Sequence, residues 1–315
     1  MTNISLGILD LVPQPTGMAA EQAVQAAVRL ARSAEAWGYA RYWAAEHHDL
    51  EGLACAAPEV LLAHVGAVTR TIKLGTGALL LPHYSPLKVA ETFRLLSALM
   101  PGRIELGLGR APGGPAHASM ALSGNFLQRV ASMESSLESL VALLEDRYTY
   151  EDHLVQARPF SKDTPELWLL GTHTKSAGFA AKLGMSFVFG GFMSDDDPAA
   201  VLDSYRAAYV PRREGLEPHA QMAVTVFCAH SRAEAERMAE STAWRQNQER
   251  STSGESSYKA ESELIGSPSE VAERLQHLSE KYNNNDFLIF NPVTDLAWRL
   301  ESYQLLAEQF RPASR

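Results

Sequence analysis

Short apolar runs alternate along the chain with longer stretches in which apolar residues recur every three or four positions. The short runs are Ile4 to Leu9, Tyr42 to Ala45, Lys73 to Leu81, Ile104 to Leu108, Leu167 to Leu170, Ser186 to Phe189, Ala223 to Ala229 and Phe287 to Phe290. Runs of this length, bounded by turn formers, read as buried strands. The longer stretches carry a helical stripe. Val24, Ala27, Val28, Ala31 and Ala34 form the first, which ends at Trp37-Gly38; Val89, Phe93, Leu96 and Met100 form another behind Ser85-Pro86. Pro58 to Thr69, Lys175 to Leu183, Pro198 to Arg212 and Arg232 to Arg245 read the same way. Phe126 to Leu144 reads as one long helix, with Val130, Met133, Leu137, Leu140 and Leu144 on one side. Ser267-Pro268-Ser269-Glu270 is a capping box with proline at the first helical position, launching a helix through Val271, Leu275 and Leu278. The last stripe is Leu296, Leu300, Tyr303, Ala307 and Phe310.

Eight strand-then-helix units favour a closed (β/α)8 TIM barrel of the α/β class over an open sheet. The units occupy the whole of residues 1–315, so one domain is expected, with two interruptions: a polar excursion, Asp146 to Pro165, and a mobile insertion, Gln246 to Tyr258. In such a barrel chemistry sits at the carboxyl ends of the strands. Those ends hold Asp10, Glu46 to His48, Gly77-Ala78, Gly109-Arg110, Gly171 to Thr174, Gly190 and Asn291.

Composition narrows the function. The net charge is -9, with no cluster of Lys or Arg, so no electrostatic footprint for nucleic acid or an anionic membrane is present. Only Cys55 and Cys228 occur, without a disulfide or zinc pattern, which suits a reducing cytoplasm. Neither a signal segment nor a membrane span is read near the N-terminus. A soluble cytoplasmic protein acting on a small molecule, without a metal, is the expectation.

Three stretches carry candidate chemistry. Arg41 to Asp49, RYWAAEHHD, is a strand that delivers Glu46, His47 and His48 to the barrel mouth, where a histidine can exchange a proton near neutral pH; a solvated loop is the plainer alternative. Gly107 to Gly114 has proline at 112, where a dinucleotide fingerprint needs glycine, so a Rossmann motif is rejected. Its glycines and Arg110 suit a phosphate, or simply a tight loop with a surface arginine. Gly171-Thr172-His173-Thr174-Lys175-Ser176 runs from a strand into a helix start, a place where N–H groups and hydroxyls favour an anion, although helix capping alone accounts for Thr174 or Ser176.

Taken together, RYWAAEHH, APEVLLAH, LGTGALLLPHYSPLKVAE, PGRIELGLGRAPG, LWLLGTHTKSA, GSPSEVAERL and NPVTDLAWRLESYQLLAE resemble the bacterial luciferase-like flavin monooxygenase family, in particular its single-chain branch. The resemblance implies the same barrel and a reduced FMN at its carboxyl mouth that reacts with dioxygen to oxidise a small organic substrate. It implies His47, with Glu46 beside it, as the catalytic residues. Arg110 with Gly109, and Thr172, His173 and Ser176, are then cofactor-binding, and Gly77-Ala78 is a non-proline cis peptide against the flavin ring. The luciferase catalytic subunit has a reactive cysteine where this chain has Gly109, so light emission is not implied. With no nicotinamide domain left in the chain, electrons are expected on FMN reduced by a separate flavin reductase. A homodimer through Pro58 to Thr69 and Pro86 to Met100, and a lid over Gln246 to Tyr258, also follow from the resemblance. The alternatives are a deazaflavin-dependent hydride-transfer oxidoreductase and a non-catalytic flavin-binding protein.

Overall fold

The apolar runs close into a ring. A computed structural model describes residues 4–242 and 257–310. Its strands are β1 (Ser5–Asp10), β2 (Arg41–Ala44), β3 (Lys73–Thr76), β4 (Leu79–Leu80), β5 (Ile104–Gly109), β6 (Thr149–Tyr150), β7 (His153–Leu154), β8 (Glu166–Gly171), β9 (Ser186–Gly190), β10 (Ala220–Cys228), β11 (Glu263–Gly266) and β12 (Asp286–Phe290). Eight of them, β1, β2, β3, β5, β8, β9, β10 and β12, pair in parallel in that order, and β12 returns to β1 with Leu6 opposite Phe287. Alternate side chains therefore enter two different cores. Ile8, Tyr42, Leu169, Phe187, Val224 and Ile289 face the surrounding helices, while their neighbours Leu9, Trp43, Trp168, Val188, Ala223 and Leu288 fill the barrel interior.

Helices wrap the ring: α1 (Ala20–Trp37), α2 (Pro58–Val68), α3 (Pro86–Leu99), α4 (Ala116–Ser123), α5 (Phe126–Ala131), α6 (Met133–Leu144), α7 (Thr174–Lys182), α8 (Pro198–Ala208), α9 (Arg232–Glu240), α10 (Ser257–Glu261), α11 (Pro268–Tyr282) and α12 (Leu296–Phe310). The capping signals act as read. Glu270 Oε2 accepts from the N–H and the hydroxyl of Ser267, both at 2.8 Å, and Gly38 ends α1 at φ 88°.

Charges close the amino end of the barrel. Arg41 is buried, with Nη1 2.7 Å from Asp286 and Nε 3.1 Å from Glu105, and Trp43 Nε1 donates to Glu105 at 2.5 Å. Paired and hydrogen-bonded, these groups tolerate burial. The cavity accordingly opens at the other end.

Several expectations are corrected. The run Lys73 to Leu81 is not one strand: a cis peptide between Gly77 and Ala78 separates β3 from β4. The helix expected over Phe126 to Leu144 is two, α5 and α6, because Ser132 turns its hydroxyl back onto the carbonyls of Gln128 and Arg129. Ahead of them α4 forms, and the polar excursion contains the small antiparallel β6–β7 pair. β10 begins at Ala220, and β11 lies outside the ring, pairing among the described residues with Thr225 to Cys228 of β10. The insertion Gln246 to Tyr258 falls outside the described residues up to position 256; Ser257 and Tyr258 open α10. Among the described residues, no helix is long and apolar enough to cross a membrane.

Candidate active site

A cavity of about 650 Å³ lies at the carboxyl ends of the strands. Glu46 and His47 after β2, Gly77 and Ala78 at the cis peptide, Gly109 at the end of β5 with Arg110 next to it, Gly171 at the end of β8 with Thr172 next to it, and Ser176 in α7 all line it. The register accounts for the grouping on the anion side. Leu108 of β5 is opposite Leu169 of β8, so Arg110 comes level with Gly171, one residue before Thr172. Gly109 is required there, because a Cβ would lie 2.8 Å from that of Ala78. A Cβ at Gly171 would collide with Ser176 Oγ.

Glu46 is a buried clasp. Its Oε2 accepts the N–H of Leu80 at 2.8 Å; its Oε1 accepts the Tyr84 hydroxyl at 2.8 Å and lies 2.7 Å from His48 Nε2. The backbone N–H of Glu46 also donates to Ala78 O at 3.2 Å, so this one residue holds the chain on the far side of the cis peptide at two points. Burial first, and the adjacent carboxylate second, raise the Tyr84 pKa, which keeps its hydroxyl protonated and donating.

His47 sits differently. Its N–H donates to Cys55 O at 2.9 Å, but the ring atom Nδ1 is buried without a hydrogen-bond partner. Burial, helped by the neighbouring His48, lowers its pKa from 6.5 to about 4, so the ring is neutral at pH 7. Cys55 behind it is no nucleophile: burial pushes the thiol up to about 12.

Arg110 is exposed at the rim and makes no ion pair with a described residue. Ser176, in the first turn of the nine-residue helix α7, lines the same cavity, and a helix start carries free N–H groups and the positive end of the dipole. The rest of the wall is apolar. Leu9, Leu11, Leu170, Val188, Phe192 and Phe290 come up from the barrel, and Phe126, Leu127, Val130 and Met193 overhang the mouth.

The family model described as luciferase-like monooxygenase matches residues 4–282. The chain belongs to this family. The protein is thus an enzyme, a flavin-dependent monooxygenase by class. It is 38% identical over 334 aligned residues to the N-acetyl-S-alkylcysteine monooxygenase of Bacillus subtilis (strain 168), covering 99% of this chain and 100% of the relative. The crystal structure of apo-MsnO8 has a TM-score of 0.87 and 33% identity to it, covering 99% of this chain and 100% of that one. The oxygenating constituent of 3,6-diketocamphane monooxygenase from Pseudomonas putida, in complex with FMN, has a TM-score of 0.77 at 20% identity over 99% of each chain, a likeness of fold.

Not every candidate of this monooxygenase reaches the cavity. The side chain of His173 turns outward to Asp196, with Nδ1 2.9 Å from Oδ2. Asp10 is buried elsewhere, bound to the Val12 N–H, the Tyr42 hydroxyl and Arg299 at 2.6 Å. Asn291 is taken up by Val293 N–H and Ser302. Sequence reasoning missed the α5 residues Phe126, Leu127 and Val130 as cavity wall. Phe126 is seated on His83, ring centroids 5.3 Å apart, and α5 contributes nothing to the core, Leu127 being 79% exposed. The available signal was Asn125, whose side chain caps α5 from Gln128 N–H and marks a new helix start.

Proposed function

We propose that this protein is an FMN-dependent monooxygenase that receives reduced FMN from a separate flavin reductase and uses dioxygen to oxidise a small, uncharged, largely apolar organic molecule. The observation that carries this reading is a neutral imidazole, His47, with an unpartnered buried Nδ1, set in a mostly apolar cavity that has an unpaired arginine at its rim. The residues fit the cofactor. Arg110, Thr172 and the α7 N-terminus would hold the phosphate, as charge-assisted contacts to a guanidinium and N–H groups do. Gly77, Ala78 and Gly109 leave a surface without bulky side chains for a flat ring. Reduced FMN, when bound, supplies the electrons that activate dioxygen; the solved relative in complex with FMN supports this choice.

The chain's own residues then have distinct tasks. His47 takes or holds a proton at its ring nitrogens, which its neutrality at pH 7 allows. Glu46 keeps Ala78 to Leu80 in place, part of the wall that would take the flat ring. Phe126, Leu127, Phe192 and Met193 exclude water from the reacting centre. Among the described residues Arg110 is the only cation in the wall, so with phosphate bound none is left for a charged substrate. The S-alkyl group named for the Bacillus relative matches such a wall while the carboxylate of an N-acetylcysteine has no cation left to meet it here, so uncharged thioethers head the screen.

A single domain carries all of this. Its two thiols are free and buried, in keeping with a reducing cytoplasm. Val60, Val68, Leu95 and Leu99 lie exposed on α2 and α3 and support a homodimer through those helices. The deciding experiment mixes protein and reduced FMN without air, adds labelled dioxygen and candidate thioethers, and follows flavin absorbance, peroxide and product mass. One labelled oxygen atom in the product, with less peroxide, is expected, and His47→Ala loses it while still binding flavin. Reoxidation and peroxide identical to free FMN with every substrate would overturn the reading, and binding of a deazaflavin in place of FMN would replace it with hydride transfer.

A further inference from the structure

Two stretches of the cavity wall have no buried residue of their own. One follows β5, where Arg110, Ala111, Pro112 and Gly113 line the cavity; the other is α5, which brings Phe126, Leu127 and Val130 to it. Both meet at a single side chain behind the wall. His83 ends the 3-10 turn Leu81–His83, on which α4 and α5 pack, and it does not itself line the cavity.

Two contacts make the junction. The imidazole stacks on Phe126, with ring centroids 5.3 Å apart and planes 29° apart, and the ring of His48 meets it in a T at 5.7 Å. Its Nε2 lies 2.9 Å from Pro112 O. A carbonyl oxygen only accepts, so Nε2 is the donor, while Nδ1 is buried without a partner. Packing alone does not account for a histidine here. A phenylalanine would stack on Phe126 as well and would bury no unpaired nitrogen, so what the imidazole adds is the bond to Pro112.

We infer that His83 is a positioning residue with two tasks: its ring seats Phe126 and so sets the substrate side of the cavity, and its Nε2 tethers the Pro112 carbonyl and so steadies Arg110 for the cofactor phosphate. The inference rests on the monooxygenase reading above. Arg110 stands two residues before Pro112, whose ring fixes its own φ, so holding that carbonyl restricts where the guanidinium starts from. The loop has other ties, from Ser119 Oγ to Pro112 O at 3.2 Å and from His48 N–H to Gly113 O at 2.8 Å, so loss of the tether loosens it without releasing it. On the other side α5 has its Asn125 cap and its place on the turn, and the ring of His83 is what meets Phe126 there.

The two tasks separate by substitution. His83→Phe keeps a ring under Phe126 and removes the donor; His83→Gln keeps an N–H at the reach of Nε2 and removes the ring. For His83→Phe, FMN should bind about fivefold more weakly, the worth of one hydrogen bond, with riboflavin binding and the KM for dibutyl sulfide unchanged. For His83→Gln, FMN should bind as in wild type, while the KM for dibutyl sulfide rises about fivefold and kcat stays within about twofold, the mark of lost binding and not of lost chemistry. Adding Phe126→Ala to His83→Gln should raise that KM no further than Phe126→Ala does alone, because the two rings act as one contact. Hydrogen exchange without any ligand reads the same division: residues 110–115 exchange faster only in His83→Phe, and residues 126–131 only in His83→Gln. Wild-type binding, KM and exchange in either variant would overturn the inference. So would parallel losses of FMN, riboflavin and sulfide in both, which would make His83 a general packing residue. Wild-type protein that binds FMN but oxygenates no sulfide under any condition would sink the monooxygenase reading instead, and the exchange pattern would still decide whether His83 holds the two stretches.

Discussion

Removing the Glu46 carboxylate tests how the site is held. Glu46→Ala leaves the Leu80 N–H, the Tyr84 hydroxyl and His48 Nε2 without their acceptor, in a place where the carboxylate side chain is fully buried. Hydrogen bonds to a charged group contribute about 1.5–3 kcal/mol each, but the three are not additive, and breaking one side of a buried polar network costs roughly 3–5 kcal/mol. Against a typical total of about 5–15 kcal/mol that is a large loss. Glu46→Gln differs: its carbonyl still accepts from Leu80, and its amide can donate to the Tyr84 oxygen or a His48 lone pair, so about 1–2 kcal/mol is expected. Urea unfolding followed by tryptophan fluorescence measures both, and an FMN titration should show Glu46→Ala binding about tenfold more weakly as Ala78 to Leu80 loosen, a shift equal to about 1.4 kcal/mol. An alanine variant within about 1 kcal/mol of wild type would refute the clasp. A glutamine variant that is stable and binds FMN but turns over as poorly as alanine would give the carboxylate a chemical role instead.

Three further predictions follow from the same geometry. Arg110→Ala should weaken FMN about 10–100-fold, the worth of one charge-assisted phosphate contact, and leave riboflavin binding unchanged; equal losses for both ligands in a fluorescence titration would remove Arg110 from the phosphate. Because the folded protein lowers the His47 pKa from 6.5 to about 4, the unfolded chain binds a proton in that window that the folded one does not. Stability should therefore fall as pH drops from 6.5 toward 4, by up to about 3 kcal/mol, and His47→Gln should flatten that part of the profile. Gly109→Ala forces its Cβ against Ala78 and should cost about 1–3 kcal/mol in unfolding experiments while weakening FMN; wild-type values for both would show that β4 and β5 can part at no cost.

Much of the fold was legible in the chain. The eight strands are short apolar runs that no helix could use, and the helices between them carry stripes at helical spacing, so the parallel barrel follows from period and order alone. Glu46, His47, Gly109 and Arg110 could be placed for the same reason: they stand at or just past the end of a buried strand. The cis bond at Gly77-Ala78 was reached through resemblance and not through periodicity, which ran straight across it. Apolar spacing also failed over Phe126 to Val130, since a residue facing a ligand cavity and one facing the core leave the same pattern.

What the sequence by itself determined is the set of elements, their order and the strand ends that meet at one mouth, because these depend on interactions between near neighbours and on the two faces of each strand. The tertiary structure alone decided which of those strand-end groups would be free. Asp10 is taken by Arg299, 289 positions away, His173 by Asp196, and Glu46 by three donors, while the His47 ring is left neutral with its Nδ1 unpartnered. A side chain's availability is set by which distant donors and acceptors the closed barrel brings within hydrogen-bond reach, and local sequence carries no record of those distances.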